Sequence, residues 1–88
     1  MRLVRTDSFR DDFRQLPEAL KRQTEKALSL LAANPRHPSL RTHKLRGIQD
    51  PMGRDLWSCR VSRGYRILFA IAEDAYLLYR VGPHKLVE

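Results

Sequence analysis

From Leu56 to Gly82 the chain alternates strand-forming runs with short polar links, and no other stretch limits the fold as much. Leu56–Val61, Tyr65–Ala72 and Ala75–Gly82 are dominated by aromatic and branched aliphatic residues, separated by Ser62-Arg63-Gly64 and Glu73-Asp74. Such runs bounded by tight links predict a three-stranded β-meander. Gly64 supplies the residue that a turn with positive φ favours.

One residue breaks the apolar pattern. Arg66 lies one step inside the most apolar strand, the expected centre of the sheet. Side chains alternate along a strand, so Tyr65, Ile67, Phe69 and Ile71 share one face while Arg66, Leu68 and Ala70 share the other. A guanidinium there is costly unless a carboxylate holds it, it snorkels to solvent, or it looks into a wet groove.

The N-terminal half supplies the cover. Arg2–Arg5 alternates and predicts a short strand for the edge of the later sheet. Thr6, Asp7 and Ser8 offer N-cap oxygens, and Phe9, Phe13 and Leu16 fall on one face of a helix. Pro17 is poor inside a helix but welcome in a first turn, so it predicts the start of a second helix, with Glu18 at its positive end. Leu20, Ala27, Leu28 and Leu31 make that helix's buried stripe, and Asn34-Pro35 ends it. Two tightly joined helices form a hairpin that packs on one face of a small antiparallel sheet. The expected class is therefore α+β: an N-terminal strand, a helical hairpin, and a mostly antiparallel sheet ending in the meander, in one domain spanning 1–88.

Between helices and meander, 36–47 is strongly basic: Arg36, Arg41, Lys44 and Arg46, with His37 and His43. Pro35 and Pro38 make it a poor helix and a poor central strand, and only Leu40 and Leu45 look like anchors. It reads as a loop, either merely solvated or able to follow a phosphate backbone. Ile48–Arg54, with Pro51 and Gly53, reads as a loose connection. His84 directly follows the third strand, where an imidazole can exchange a proton near neutral pH, although an exposed terminal His is often inert.

Seventeen Lys and Arg against ten Asp and Glu leave a net charge of +7, which predicts a polyanionic or acidic partner. The single cysteine, Cys59, excludes an internal disulfide, fits a reducing cytosol, and alternates with Trp57 and Val61 as a small core residue. The two histidines of the basic segment have no Cys or carboxylate at ligand spacing, so neither a metal site nor a cofactor is expected. No apolar run is long enough to cross a bilayer, and the charged N-terminus lacks a signal-peptide core.

The His37-Pro38-Ser39-Leu40…His43-Lys44-Leu45-Arg46-Gly47 segment, Leu56–Val61, Tyr65-Arg66-Ile67-Leu68-Phe69 and Val81-Gly82-Pro83-His84, in this order and spacing, resemble the RelE/ParE superfamily of bacterial type II toxin–antitoxin toxins. The resemblance covers nearly the whole chain and implies the same α+β fold. For the RelE-like branch it implies a ribosome-dependent endoribonuclease that cuts mRNA in the decoding site without metal, acting in the cytoplasm beside an acidic antitoxin. The 2′-hydroxyl attacks the adjacent phosphate, leaving a 2′,3′-cyclic phosphate and a 5′-hydroxyl. Carried over by position, Arg66 binds the scissile phosphate, His84 transfers a proton to the leaving oxygen, and His43 or Lys44 supplies the base. Arg41, Arg46, Arg60 and Arg63 grip the RNA or ribosomal RNA backbone. The sequence departs from many relatives at Glu88, where they carry an aromatic residue. The ParE-like alternative is a DNA gyrase inhibitor that cuts nothing, and a third is a non-catalytic binding module of the same fold.

Overall fold

The strand that the sequence marks as most apolar is the middle of the sheet. The computed structural model describes residues 1–87 (side chains through 85). Its elements are β1 (Arg2–Arg5), α1 (Asp7–Arg14), α2 (Glu18–Ala33), β2 (His43–Gln49), β3 (Asp55–Ser62), β4 (Tyr65–Ala72) and β5 (Ala75–Pro83), with short 3-10 turns at Pro38–Leu40 and His84–Val87. The five strands run in the order β1-β5-β4-β3-β2. β1 is parallel to β5, and every other pairing is antiparallel. The α+β architecture, the edge position of the first strand and the C-terminal meander are as the sequence predicts. Among the described residues, no helix is long and apolar enough to cross a membrane.

Of the three candidate cap oxygens, Thr6 does the capping. Its hydroxyl accepts from Phe9 N–H at 3.3 Å and donates to the Leu78 carbonyl at 2.7 Å, so one side chain starts α1 and ties it to β5. α2 begins at Pro17 without a side-chain cap; preset φ and Glu18 in the first turn suffice. The helices bury Phe9, Ala27, Leu28 and Leu31 against Cys59, Ile67, Phe69, Tyr76, Leu78 and Val81, and Leu40 plugs the same core. Burial pushes the Cys59 thiol up to about 12, against a lowering pull from Arg66, so it is an inert core residue at neutral pH.

Three local expectations are corrected. Residues 43–49 are not loop but the edge strand β2. Only Leu45 in it is even partly buried, so it carries no apolar alternation to read. Ile48–Arg54 is not loose. Asp50-Pro51-Met52-Gly53 is a tight turn in which Gly53 N–H reaches the Asp50 carbonyl at 3.0 Å, and Gly53 takes φ +82°. Gly64 does not use positive φ; the β3–β4 register shifts between Arg60 and Ser62 instead, and positive φ falls at Glu73 in the next turn.

β1 registers with β5 only as far as Leu78, which leaves the later half of β5 without a strand on that side. α1 covers this edge. The Asp12 carboxylate accepts from Val81 N–H at 3.1 Å and holds the Arg80 guanidinium at 2.6 and 3.1 Å. A side chain thus replaces the missing ladder bond. Asp12→Ala strands Val81 N–H and releases Arg80. The expected loss is about 1–3 kcal/mol in urea unfolding, from a charge-assisted bond and an unsatisfied donor.

Candidate functional site

β4 is buried on both faces: Ile67, Leu68, Phe69 and Ala70 all lie at or below 8% exposure. The helices cover one face. On the other, the Gln49–Arg54 turn folds back over the sheet. Its anchor is Asp50, whose side chain is 1% exposed. Asp50 accepts from Met52 N–H at 2.9 Å, Arg54 N–H at 2.8 Å, the Arg54 guanidinium at 3.0 Å and the Tyr79 hydroxyl at 2.9 Å. Tyr79 reaches it because β5 carries one extra residue there, Leu68 pairing with Arg80 and Phe69 with Leu78. Burial raises the Asp50 pKa, but these hydrogen bonds outweigh it and take the carboxyl down to about 2. Burial and the Asp50 contact push the Tyr79 phenol up. The sequence carries a signal for the turn, Asp-Pro-x-Gly, but none for the Tyr79 contact 29 residues away.

The cover ends before Arg66. By register, Arg66 stands between Arg60 on β3 and Gly82 on β5. Its Nη1 donates to the carbonyls of Ser62 and Tyr65, each at 3.1 Å, and the rest of the fork has no hydrogen-bond partner among the described residues. Among the described residues, no carboxylate lies within ion-pair distance of Arg60, Arg63 or Arg66. Two arginines directly opposite each other on neighbouring strands repel, and no acid among the described residues neutralises them. Chemically, such a pair is suited to share an anion.

His84 directly follows β5. β5 pairs Pro83 with Tyr65, and His84 N–H donates to the Gly64 carbonyl at 2.8 Å, which places the exposed residue beside the start of β4. His43 and Lys44 are separated. His43 stands opposite Ser58, itself opposite Leu68, on the Arg66 face. It is roughly 10 Å across the sheet from β4 and one two-residue step from Arg66. Its Nδ1 lies 3.0 Å from the Arg41 carbonyl, which can only accept, so Nε2 is the acceptor of the neutral ring. Lys44 opposes Trp57 on the helix face and pairs with Asp55 at 3.7 Å. Arg63 is exposed in the β3–β4 turn, Arg46 is exposed on β2, and Arg41 leaves the Pro38–Leu40 turn with φ +46°. Glu88 lies outside the described residues. Sequence reasoning missed Ser58, whose fully buried hydroxyl has no partner among the described residues. Among these residues, no group of His, Cys, Asp and Glu is placed to hold a metal.

A family model described as "ParE toxin of type II toxin-antitoxin system, parDE" matches residues 3–86. The chain belongs to this toxin family. Its fold is that of solved toxins at low identity. A metal-bound toxin from Helicobacter pylori matches with TM-score 0.74 and 20% identity, covering 100% of this chain and 99% of that one. The toxin of the RelE–RelB complex from Pyrococcus horikoshii matches with TM-score 0.73 and 20% identity over 93% and 92% of the two chains. YafQ from E. coli matches with TM-score 0.73 and 14% identity over 98% and 97%. No curated protein matches the sequence.

The Asp50 hub sets the toxin's response to acid. A carboxyl depressed in the folded state contributes stability that is complete above its unfolded value, near 3.8, and is lost as pH falls toward about 2. Thermal unfolding of Asp50→Asn should therefore start from a lower Tm at pH 7. Its Tm should converge on that of the parent between about pH 4 and pH 2.

Proposed function

We propose that this toxin is a ribosome-dependent endoribonuclease that cleaves mRNA by 2′-hydroxyl attack on the adjacent phosphate and needs no metal for that step. The observation that carries the reading is the Arg60–Arg66 pair: two facing guanidiniums, no carboxylate beside them among the described residues, and His84 at the adjoining strand end. Arg66 is held by two backbone carbonyls, so it meets a phosphate with little ordering left to do. Arg60 shares the charge of the phosphorane, and His84 delivers the proton to the departing 5′-oxygen. The 2′-hydroxyl proton passes to water, because His43, two strands across the same face, is out of hydrogen-bond reach of a phosphate held at Arg66 and instead meets the RNA strand further along. Arg41, Arg46 and Arg63 hold the flanking phosphates. Lys44, paired and facing the other way, has no part in the step.

The neighbours solved as RelE–RelB complexes support an antitoxin partner. The +7 charge makes an acidic one the matching chemistry. The setting proposed is the cytoplasm, where mRNA, ribosomes and antitoxin meet. A second reading, inhibition of DNA gyrase without cleavage, is favoured by one observation: His43 and Lys44 do not converge on Arg66.

Adding the protein to a translation extract and mapping mRNA 5′-ends tests the proposal. Cleavage within translated codons is expected, and Arg66→Ala and His84→Ala should each lower it by roughly 10²-fold or more. Intact messages together with blocked supercoiling by gyrase would establish the second reading instead.

A further inference from the structure

α2 ends at Ala33, but the sheet face that it covers runs on past it. Ile71, the next residue after Phe69 on that face of β4, is 42% exposed. Beyond the helix end lies a pocket of about 600 Å³, floored by Trp57, Phe69, Ile71 and Tyr76 and walled by residues 35–38. Trp57 pairs with Phe69 and Ile71 with Tyr76, so the floor is one patch of cross-strand neighbours. Arg66 stands five residues from Ile71 along β4 and on the opposite face, about 17 Å away along the strand. The pocket is therefore separate from the candidate active face.

Its polar side chains offer donors. Arg36 and Arg41 have no acid partner among the described residues, and no Asp or Glu among them lines the pocket. His37 Nδ1 accepts from Ser39 N–H at 3.2 Å, so the neutral ring carries its proton on Nε2. Trp57 adds an indole N–H. Tyr76 is only 5% exposed, yet its hydroxyl has no hydrogen-bond partner among the described residues. A phenol buried that deeply usually has one. The hydroxyl is not sealed in the core either, since Ser58 Oγ is the sealed, unpartnered side-chain atom among these residues. The Thr42 hydroxyl beside the pocket is already donated to the Pro35 carbonyl at 3.2 Å.

We propose that this pocket binds a free purine nucleoside monophosphate. The aromatic floor, with Trp57 only partly buried, gives a base the flat apolar surface on which it stacks. Ring nitrogens and ribose oxygens are acceptors for the Tyr76, Trp57 and His37 donors. The phosphate takes the guanidiniums of Arg36 and Arg41. The volume is about four times that of a cavity filled by a single benzene ring and falls within the range of small-molecule sites. An aliphatic acid would satisfy the floor and the arginines but leave the other donors unmatched. An RNA strand carries the same nucleotide chemistry, but one held at Arg66 has to round the sheet edge to reach this face. The free molecule is the occupant that this placement favours, and its binding does not depend on the cleavage chemistry.

Full-length, isotope-labelled toxin is titrated with AMP while NMR follows the indole N–H of Trp57, the chain's single tryptophan. Adenosine, ribose 5-phosphate, octanoate and a single-stranded oligoadenylate are the comparison ligands. AMP should give a saturable shift of the indole N–H and of the Ile71 and Tyr76 amides. Adenosine should bind about tenfold or more weakly, for want of the charge-assisted bonds. The other three should leave the indole unmoved. Arg36→Gln, at a residue with no part in cleavage, should weaken AMP about tenfold and leave adenosine as it is. Tyr76→Phe, which removes only the hydroxyl, should weaken both ligands about threefold to tenfold. Arg66→Ala should bind AMP in this pocket like the parent. Four results overturn the proposal: no saturable shift, shifts confined to the Arg66 face, oligoadenylate or octanoate matching AMP, or folded Arg36→Gln and Tyr76→Phe variants that bind AMP like the parent. A toxin that cuts no mRNA would still be expected to bind AMP here, so the two tests fail separately.

Discussion

Everything in this fold answers to the double burial of β4. A strand with Ile67 and Phe69 on one face and Leu68 and Ala70 on the other, all sequestered, needs a cover on each side. Two helices supply the first cover by ordinary amphipathic packing. The second comes from a six-residue turn too short to hold a core of its own. It succeeds because Asp50 is saturated with hydrogen bonds, two of them from the turn's own backbone and one from Tyr79 on the far strand. Removing the carboxylate would leave those donors unmatched where water cannot reach them.

The second cover stops short, and the candidate site is what it leaves bare. The strand pattern that buries Leu68 and Ala70 also carries Arg66 on the same face, past the end of the turn. There the fold tolerates a repulsion that it resolves elsewhere. Arg80 is given Asp12, Arg54 is given Asp50, and Lys44 is given Asp55. Arg60 and Arg66 face each other with no acid between them among the described residues. Stability alone would favour a carboxylate or a neutral residue at one of the two positions. Their juxtaposition is the physical argument for an anionic ligand, and the family to which the chain belongs gives that argument a biological setting.

The meander, the edge strand and the capped helices were legible because each rests on local chemistry. Alternating Val, Ile, Leu and aromatic residues, an N-cap Thr6 and a Pro17 first turn act within a few residues of themselves. β2 was not legible. It is a solvated edge held by backbone pairing to β3, so its sequence needs no apolar period, and its cations argued for loop. The Asp-Pro-x-Gly turn was present as a signal and was undervalued, because its importance lies in Tyr79, 29 residues away.

For the site, the chain alone singled out Arg66 and His84, since an arginine in an apolar run and an imidazole at a strand end are visible as exceptions to a pattern. Which cations stand together was decided only in three dimensions. Pairing register places Arg60 opposite Arg66 and turns the adjacent His43 and Lys44 to opposite faces. It also starts β2 only at His43, opposite Ser58, which leaves the outer edge of β3 beyond Ser58 without a strand. Side-chain alternation can be counted from a sequence, but the partner across a strand depends on turns and bulges that shift register by single residues, and one such shift changes every neighbour.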